Sequence, residues 1–138
     1  MNSARVATVD EALARRPILV GEHNPHGPST RYALWPDPPG CAGWRLCHVV
    51  MALTPDEYHA PFERLNLLGT LPGGRWDAAA ARARAAEVAA RRLGRTLVLL
   101  GARVAAAFGA AYWPAPYAAD DGIVVLPHPS GRSRAWNY

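Results

Sequence analysis

The stretch 18–27, with the sequence ILVGEHNPHG, constrains the fold more than any other part of the chain. Its apolar start includes two β-branched residues and stops at Gly21, where polar side chains and a proline follow. This pattern is typical of a buried parallel strand that ends in a loop at the carboxyl edge of a sheet, where open α/β folds bind ligands. The same pattern recurs at 123–134, IVVLPHPSGRSR. We therefore predict two buried strands whose following loops face each other across one cleft.

The remaining segments predict a small α/β domain. Two further apolar segments predict strands at 62–68 and 96–100, and helical patterns occupy 9–16, 44–53, 55–59, 77–93 and 102–108. Strands that alternate with helices favour a four-stranded, mainly parallel sheet between two helical layers, an α/β/α arrangement. A chain of 138 residues is sufficient for one such domain over 1–138, with 1–7 as a flexible terminus.

Local signals set the expected ends of two helices. Thr54 followed by Pro55 is typical of a helix start, with threonine as the cap and proline in the first turn. Asp77 is the expected cap of the alanine-rich helix, which Gly94 ends. In the segment 44–53, helical spacing predicts a face toward the sheet that contains Trp44, Cys47, His48 and Met51.

Composition narrows the partners and cofactors. The net charge of +4 mildly favours a polyanionic partner such as nucleic acid, although all fifteen basic residues are arginine and could also simply keep the surface soluble. The two cysteines form no Cys-x-x-Cys pair, so we expect reduced thiols and no cofactor. A zinc site built from His23 and His26 with a cysteine or His48 is the weaker alternative.

The apolar segments bear on location. None approaches the length of a membrane span, and the first residues lack the apolar stretch of a signal peptide. We therefore expect a cytoplasmic protein with no membrane partner, and we expect it to be a monomer.

Three motifs occur in an order that resembles the uracil-DNA glycosylase superfamily, and most closely its mismatch-specific uracil/thymine branch. A strand ending in Gly-x-Asn-Pro or Gly-x-Asp-Pro corresponds to the segment around Asn24-Pro25, and an asparagine after a middle strand corresponds to Asn66. A late strand here runs into HPSGRSR at 128–134, where the mismatch branch has Asn-Pro-Ser-Gly-Leu-Ser-Arg. The resemblance implies hydrolysis of the N-glycosidic bond of a flipped pyrimidine in DNA, as part of DNA repair.

The chain departs from the family pattern at three places. Glu22 and His23 precede Asn24-Pro25, one residue more than the family's turn has, so either Asn24 or Glu22 could occupy the catalytic position. The late loop begins with His128, as in the classical uracil branch, and Arg132 stands where a leucine usually enters the duplex. Two cysteines cannot supply the four ligands of the iron–sulfur branches.

The resemblance implies a role for each matching position. Asn24 or Glu22 would handle the attacking water, and His128 would donate a hydrogen bond to the leaving base. The residues expected to bind the base are Asn66, Trp35, Tyr32 and His26. The residues expected to bind DNA are Ser130, Gly131, Arg132, Ser133 and Arg134.

Other functions remain open at this point. An enzyme of the same fold could act on another N-glycoside, such as a modified phage base or a free nucleotide, and a non-catalytic relative could only bind nucleic acid. Each residue also has a structural alternative. Asn24 could form a turn before Pro25, Asn66 could cap a strand, Trp35 could fill the core, and His128 could bond to backbone.

Overall fold

The computed structural model describes residues 15–23, 33–37, 39–69, 71, 74–112 and 122–129. The strands in this part of the chain are β1 (Ile18–His23), β2 (Glu63–Leu68), β3 (Leu97–Leu100) and β4 (Ile123–Leu126). The helices are α1 (Ala42–Trp44), a π-helix (Arg45–Val50) that continues it, α2 (Pro55–His59), α3 (Ala78–Arg91) and α4 (Ala102–Ala107).

The four strands form one parallel sheet in the order β2-β1-β3-β4. Val20 on β1 is paired with Leu65 on β2 and with Leu99 on β3, and Leu100 is paired with Leu126 on β4. The predicted fold class, an α/β domain with a parallel four-stranded sheet, is confirmed. Because all strands run the same way, their carboxyl ends meet at one edge of the sheet.

Helices pack on both faces of this sheet. Ile18 and Val20 belong to a core with α3 and α4, which supply Val88 and Val104 among others. The intervening Leu19 belongs to the opposite core, with the π-helix and α2. All three β1 side chains are buried, as the uninterrupted apolar run predicts for a strand covered on both faces.

The predicted face of the segment 44–53 is partly wrong. Leu46 and Cys47 are the fully buried residues, whereas His48 is exposed. The backbone N–H of Met51 donates to the carbonyl of Leu46, five residues back, at 2.9 Å. This wider π-helical turn rotates the buried face toward Leu46, which α-helical spacing did not include.

The predicted capping signals are confirmed. The Thr54 hydroxyl accepts a bond from the backbone N–H of Glu57, and the Glu57 carboxylate accepts one from the N–H of Thr54. Asp77 accepts a bond from the N–H of Ala80 at 3.0 Å. Helix α3 ends at Arg91, just before Gly94, whose φ of +80° favours glycine.

None of the described helices is long and apolar enough to cross a membrane. Most of the predicted helix 9–16 and the expected flexible terminus 1–7 lie outside the described residues.

Two contacts hold the segment 33–37 against α2 and α1. The buried hydroxyl of Tyr58 donates to the carbonyl of Leu34 at 2.9 Å. The backbone at Leu34 and Trp35 also lies so close to Gly43 that a side chain at position 43 would clash with it. Leu34 itself has a φ of +52°. This left-handed conformation is energetically unfavourable for any residue other than glycine. The Tyr58 bond and the close packing offset this cost.

We expect the substitution Tyr58→Phe to destabilise the protein by about 1–3 kcal/mol, because it leaves the buried Leu34 carbonyl without its donor. The ring and its packing stay in place, so the loss reports the hydrogen bond alone. Urea denaturation followed by circular dichroism measures the change. An unchanged midpoint would show that this bond does not hold the segment.

Candidate functional site

Two titratable side chains from different strands lie side by side at the carboxyl edge of the sheet. Glu22 is the fifth residue of β1, and His128 follows β4 by two residues. The Oε2 atom of Glu22 is 4.0 Å from the Nε2 atom of His128. Their side chains are 16% and 26% exposed, so both are shielded and still reachable from solvent. The structure therefore brings these two predicted catalytic residues together.

Gly101 makes this approach possible. Strands β1 and β4 are not neighbours, and β3 between them ends at Leu100. Gly101 then turns the chain into α4 with a φ of +98°, in the region that favours glycine. A Cβ atom at this position would lie 3.1 Å from the Cβ of His128 and 3.5 Å from the Oε2 of Glu22. The missing side chain leaves the space in which the carboxylate and the imidazole meet.

Arg103, in the first turn of α4, adds a positive charge that the sequence did not indicate. Its Nη1 atom is 3.7 Å from the Oε1 of Glu22, and its guanidinium carbon lies 5.6 Å from the centre of the Trp76 ring. Glu22 thus lies between an arginine and a histidine. No local motif predicts this contact, because it depends on how α4 packs against β1.

The surroundings of His128 favour its neutral imidazole form. Burial lowers its pKa, and the nearby charges of His23 and Arg103 lower it further, while Glu22 acts in the opposite direction. A separation of 4.0 Å exceeds a hydrogen bond, so Glu22 and His128 do not bond each other directly. A neutral imidazole retains one ring N–H, which is the form that can donate to an oxygen without transferring its proton first.

Asn66 lies on β2 toward the same edge, with its side chain on the other face of the sheet. It is 3% exposed, and it is paired with Gly21 in the register of β1 and β2. A side chain at Gly21 would clash with the Oδ1 atom of Asn66 and would also press on Leu34. Asn66 therefore packs over the glycine backbone on the Leu34 face, whereas Glu22 contacts α4 on the opposite face.

Trp35 packs against α2. The centre of its ring is 4.6 Å from the centre of the His59 ring, at an angle of 45°. Its backbone carbonyl accepts a bond from the thiol of Cys41 at 3.5 Å. The structure places Trp35 on the same side of the sheet as Asn66.

Several predicted site residues lie outside the described residues, and their roles stay predictions. They are Asn24, His26, Tyr32, Ser130, Gly131, Arg132, Ser133 and Arg134.

Arg45 is a further residue that sequence analysis missed. Its Nε atom donates to the carbonyl of Pro129 at 3.0 Å, across 84 residues of sequence. Pro129 is fully buried, so this bond fixes the backbone directly after His128. The first residue of the π-helix thus anchors the start of the late loop.

The thiols of this region serve structural roles. Cys41 accepts a bond from the N–H of Trp44 and caps α1, and Cys47 donates to the carbonyl of Leu53 at 3.3 Å. Both cysteines are free thiols, and burial raises the pKa of Cys47. Within the described ranges, no cluster of three or more histidine, cysteine or acidic residues could hold a metal ion.

The sequence matches no protein-family model and no curated protein, and the chain matches no solved structure.

We expect Gly101→Ala to disturb the site, with Gly109→Ala as the matched control at the other end of α4. Both glycines have positive φ, but a Cβ at Gly109 meets no atom within 4 Å. Gly109→Ala should cost about 1–2 kcal/mol of stability for the left-handed backbone alone. Gly101→Ala should cost more and should shift the His128 ring resonances in an NMR spectrum. Equal stability losses and unmoved His128 resonances would contradict this assignment.

The pKa of His128 tests the electrostatics of the pair. Glu22→Gln removes the charge that raises this pKa, so the imidazole should titrate at a lower pH than in the parent. Arg103→Gln removes a charge that lowers it, so the imidazole should titrate at a higher pH. NMR titration of the His128 ring measures both shifts. Shifts of the same sign in the two variants would contradict the arrangement.

Proposed function

We propose that this chain is a hydrolase that cleaves the N-glycosidic bond of a flipped pyrimidine base in DNA, acting as a cytoplasmic monomer. The observation that carries the proposal is the Glu22–His128 pair at the carboxyl edge of a parallel sheet. The motif order that resembles the uracil-DNA glycosylase superfamily supports the same activity.

The chemistry needs two different groups. As an N-glycosidic bond breaks, the sugar acquires positive charge and the departing base acquires negative charge. A carboxylate such as Glu22 can take the proton of the attacking water, and a neutral imidazole can donate its N–H to a carbonyl oxygen of the leaving base. Glu22 and His128 are close enough for one bound nucleoside to reach both.

We assign proton removal from the water to Glu22. It is one-sixth exposed, lies beside His128, and has the Arg103 guanidinium at 3.7 Å. In this assignment Asn24 positions the water through its side-chain oxygen, since an amide is too weak a base to remove the proton. In the opposite assignment, Asn24 alone positions and activates the water. The test below distinguishes the two assignments.

We assign base recognition to Asn66 on the resemblance. Its side chain is buried on the Leu34 face of the sheet, opposite the face on which Glu22 contacts α4, so a base bound there must reach the Glu22–His128 pair around the carboxyl edge. Its amide offers one acceptor and two donors, which matches the N3–H and O4 groups along one edge of uracil or thymine. Trp35, Tyr32 and His26 complete the proposed base-binding set. The loop from Ser130 to Arg134, which includes Gly131, Arg132 and Ser133, is the proposed contact with the DNA strand.

A second candidate is the hydrolysis of another N-glycoside, such as that of a modified phage base or a free nucleotide. The observation that favours it is the position of Glu22. The segment Glu22-His23-Asn24-Pro25 is one residue longer than the family's turn. The structure puts the Glu22 carboxylate beside His128. A panel of duplex DNA, single strands and mononucleotides, scored by the base released, separates the two candidates. Binding to DNA without release of any base would favour the non-catalytic alternative.

We expect Glu22→Gln to reduce base release by at least about a hundredfold, the usual contribution of a general base. Asn24→Ala should have the smaller effect if Glu22 removes the proton. Glu87→Gln, which removes an exposed carboxylate on α3, is the matched control and should act like the parent. Single-turnover rates on the preferred substrate measure all three.

A different ranking would overturn the assignment. If Asn24→Ala strongly reduces the rate of base release while Glu22→Gln keeps a near-parental rate, activation of the water would be assigned to Asn24. Small and equal losses in both variants would leave neither residue catalytic.

A further inference from the structure

A cleft lined in part by Arg103 lies next to the candidate site. It has a volume of about 240 Å³ and lies between the amino-terminal part of α3 and the length of α4. Its lining residues are Trp76, Ala78, Ala81, Arg82, Ala102, Arg103, Ala106 and Ala107. The alanines leave the floor small and apolar, so the arginines and the tryptophan supply the chemistry of the cleft.

The charge of this lining is positive. Arg82 and Arg103 both border the cleft, and none of the eight residues that line it is acidic. Arg82 is exposed, and the Arg103 side chain is 55% exposed. The nearby carboxylate of Asp77 accepts the bond from the N–H of Ala80 and so caps α3. Two solvent-accessible guanidinium groups on one small cleft favour an anion.

Trp76 holds one of these groups in place. The guanidinium of Arg103 lies 5.6 Å from the centre of the Trp76 ring, a distance typical of a cation–π contact. Its Nη1 atom is 3.7 Å from the Oε1 of Glu22, which is too long for a hydrogen bond. Arg103 therefore borders both the cleft and the Glu22–His128 pair.

We propose that this cleft binds a phosphate group of the substrate, with Arg82 and Arg103 as its ligands and Trp76 as the support of Arg103. Guanidinium groups match the geometry of phosphate oxygens, and an aromatic support reduces the freedom that Arg103 loses on binding. The volume is below the roughly 300–1,000 Å³ of pockets for drug-sized ligands, which suits a phosphate with part of its sugar. The inference rests on the proposed function, since it makes the phosphate part of the molecule that is cleaved at Glu22 and His128.

Another arginine-rich cleft differs in that arginines of its lining lie beside acidic residues. It lies at the amino ends of β1 and β2 and is lined by Arg64, Arg84, Arg91 and Arg95 together with Glu63. Arg95 is bonded to Glu63 and to the carbonyl of Arg16, and Arg84 is bonded to Glu87. Arg84 and Arg95 are thus bonded to partners within the chain. Arg84 therefore offers a matched control for Arg82, two residues away on the same helix.

The test compares Arg82→Ala with Arg84→Ala in the full chain. Binding of a fluorescent oligonucleotide, single-stranded and duplex, is measured by anisotropy over a range of salt concentrations. In a second arm, uridine and uridine 5′-monophosphate compete for the site. We expect Arg82→Ala to weaken oligonucleotide binding roughly tenfold and to lower the salt slope by about one, and we expect Arg84→Ala to change neither.

The two arms identify the source of the phosphate. If Arg82→Ala weakens the oligonucleotide alone, the cleft binds a phosphodiester of the DNA strand. If instead Arg82→Ala removes an advantage of uridine 5′-monophosphate over uridine, the cleft binds the phosphate of a free nucleotide. Either result supports the subsite.

Other results overturn it or separate it from the proposed function. Equal behaviour of Arg82→Ala and Arg84→Ala in both arms, or no binding of either probe by the parent, would overturn the subsite. If the parent releases base and Arg82→Ala and Arg84→Ala behave equally, the proposed function would be supported and the subsite would be overturned. Binding that depends on Arg82 with no base released from any substrate would support the subsite and contradict the hydrolase.

Discussion

The pairing of β1 with a parallel strand on each side is the constraint on which the rest of the structure depends. It fixes Gly21 opposite Asn66 and aligns the ends of β3 and β4 at the same edge. A slip of one residue in β1 would exchange the faces of Leu19 and Val20 and would turn Glu22 away from α4. Strand register thus decides which side chains meet at the candidate site.

The electrostatics of the site follow from this placement. His128 is shielded enough that its neutral form is favoured, although a carboxylate lies 4.0 Å away. Arg103 offsets the negative charge of Glu22 from the other side. The three groups are only partly buried, so none bears the full cost of an ion removed from water. The result is a carboxylate and a neutral imidazole held close together without a direct bond between them.

Much of the fold was predictable because its signals are local. Strand β4 has the predicted bounds 123–126, and α2 begins at Pro55 after the predicted Thr54 cap. The polar residues that follow the apolar runs of β1 and β4 also identified Glu22 and His128. The predicted loop start after Gly21 is wrong, because β1 continues through Glu22 to His23. Sequence analysis missed the π-helix and the contacts of Arg103 and Arg45. The contacts of Arg103 and Arg45 join residues far apart in the chain, as in the 84-residue separation of Arg45 and Pro129, so local patterns do not predict them. The π-helix is local, but its five-residue hydrogen-bond spacing departs from the α-helical period used for the prediction.

The bond from Arg45 to Pro129 also bears on how such a site can change through evolution. The acceptor is a backbone carbonyl, so the anchor does not depend on which side chains follow in the loop. The fully buried ring of Pro129 restricts the same point of the backbone through its fixed φ. Residues beyond this point can be exchanged without loosening the attachment of His128. Ligand preference in this architecture can therefore drift through mutations in the loop while the imidazole keeps its position.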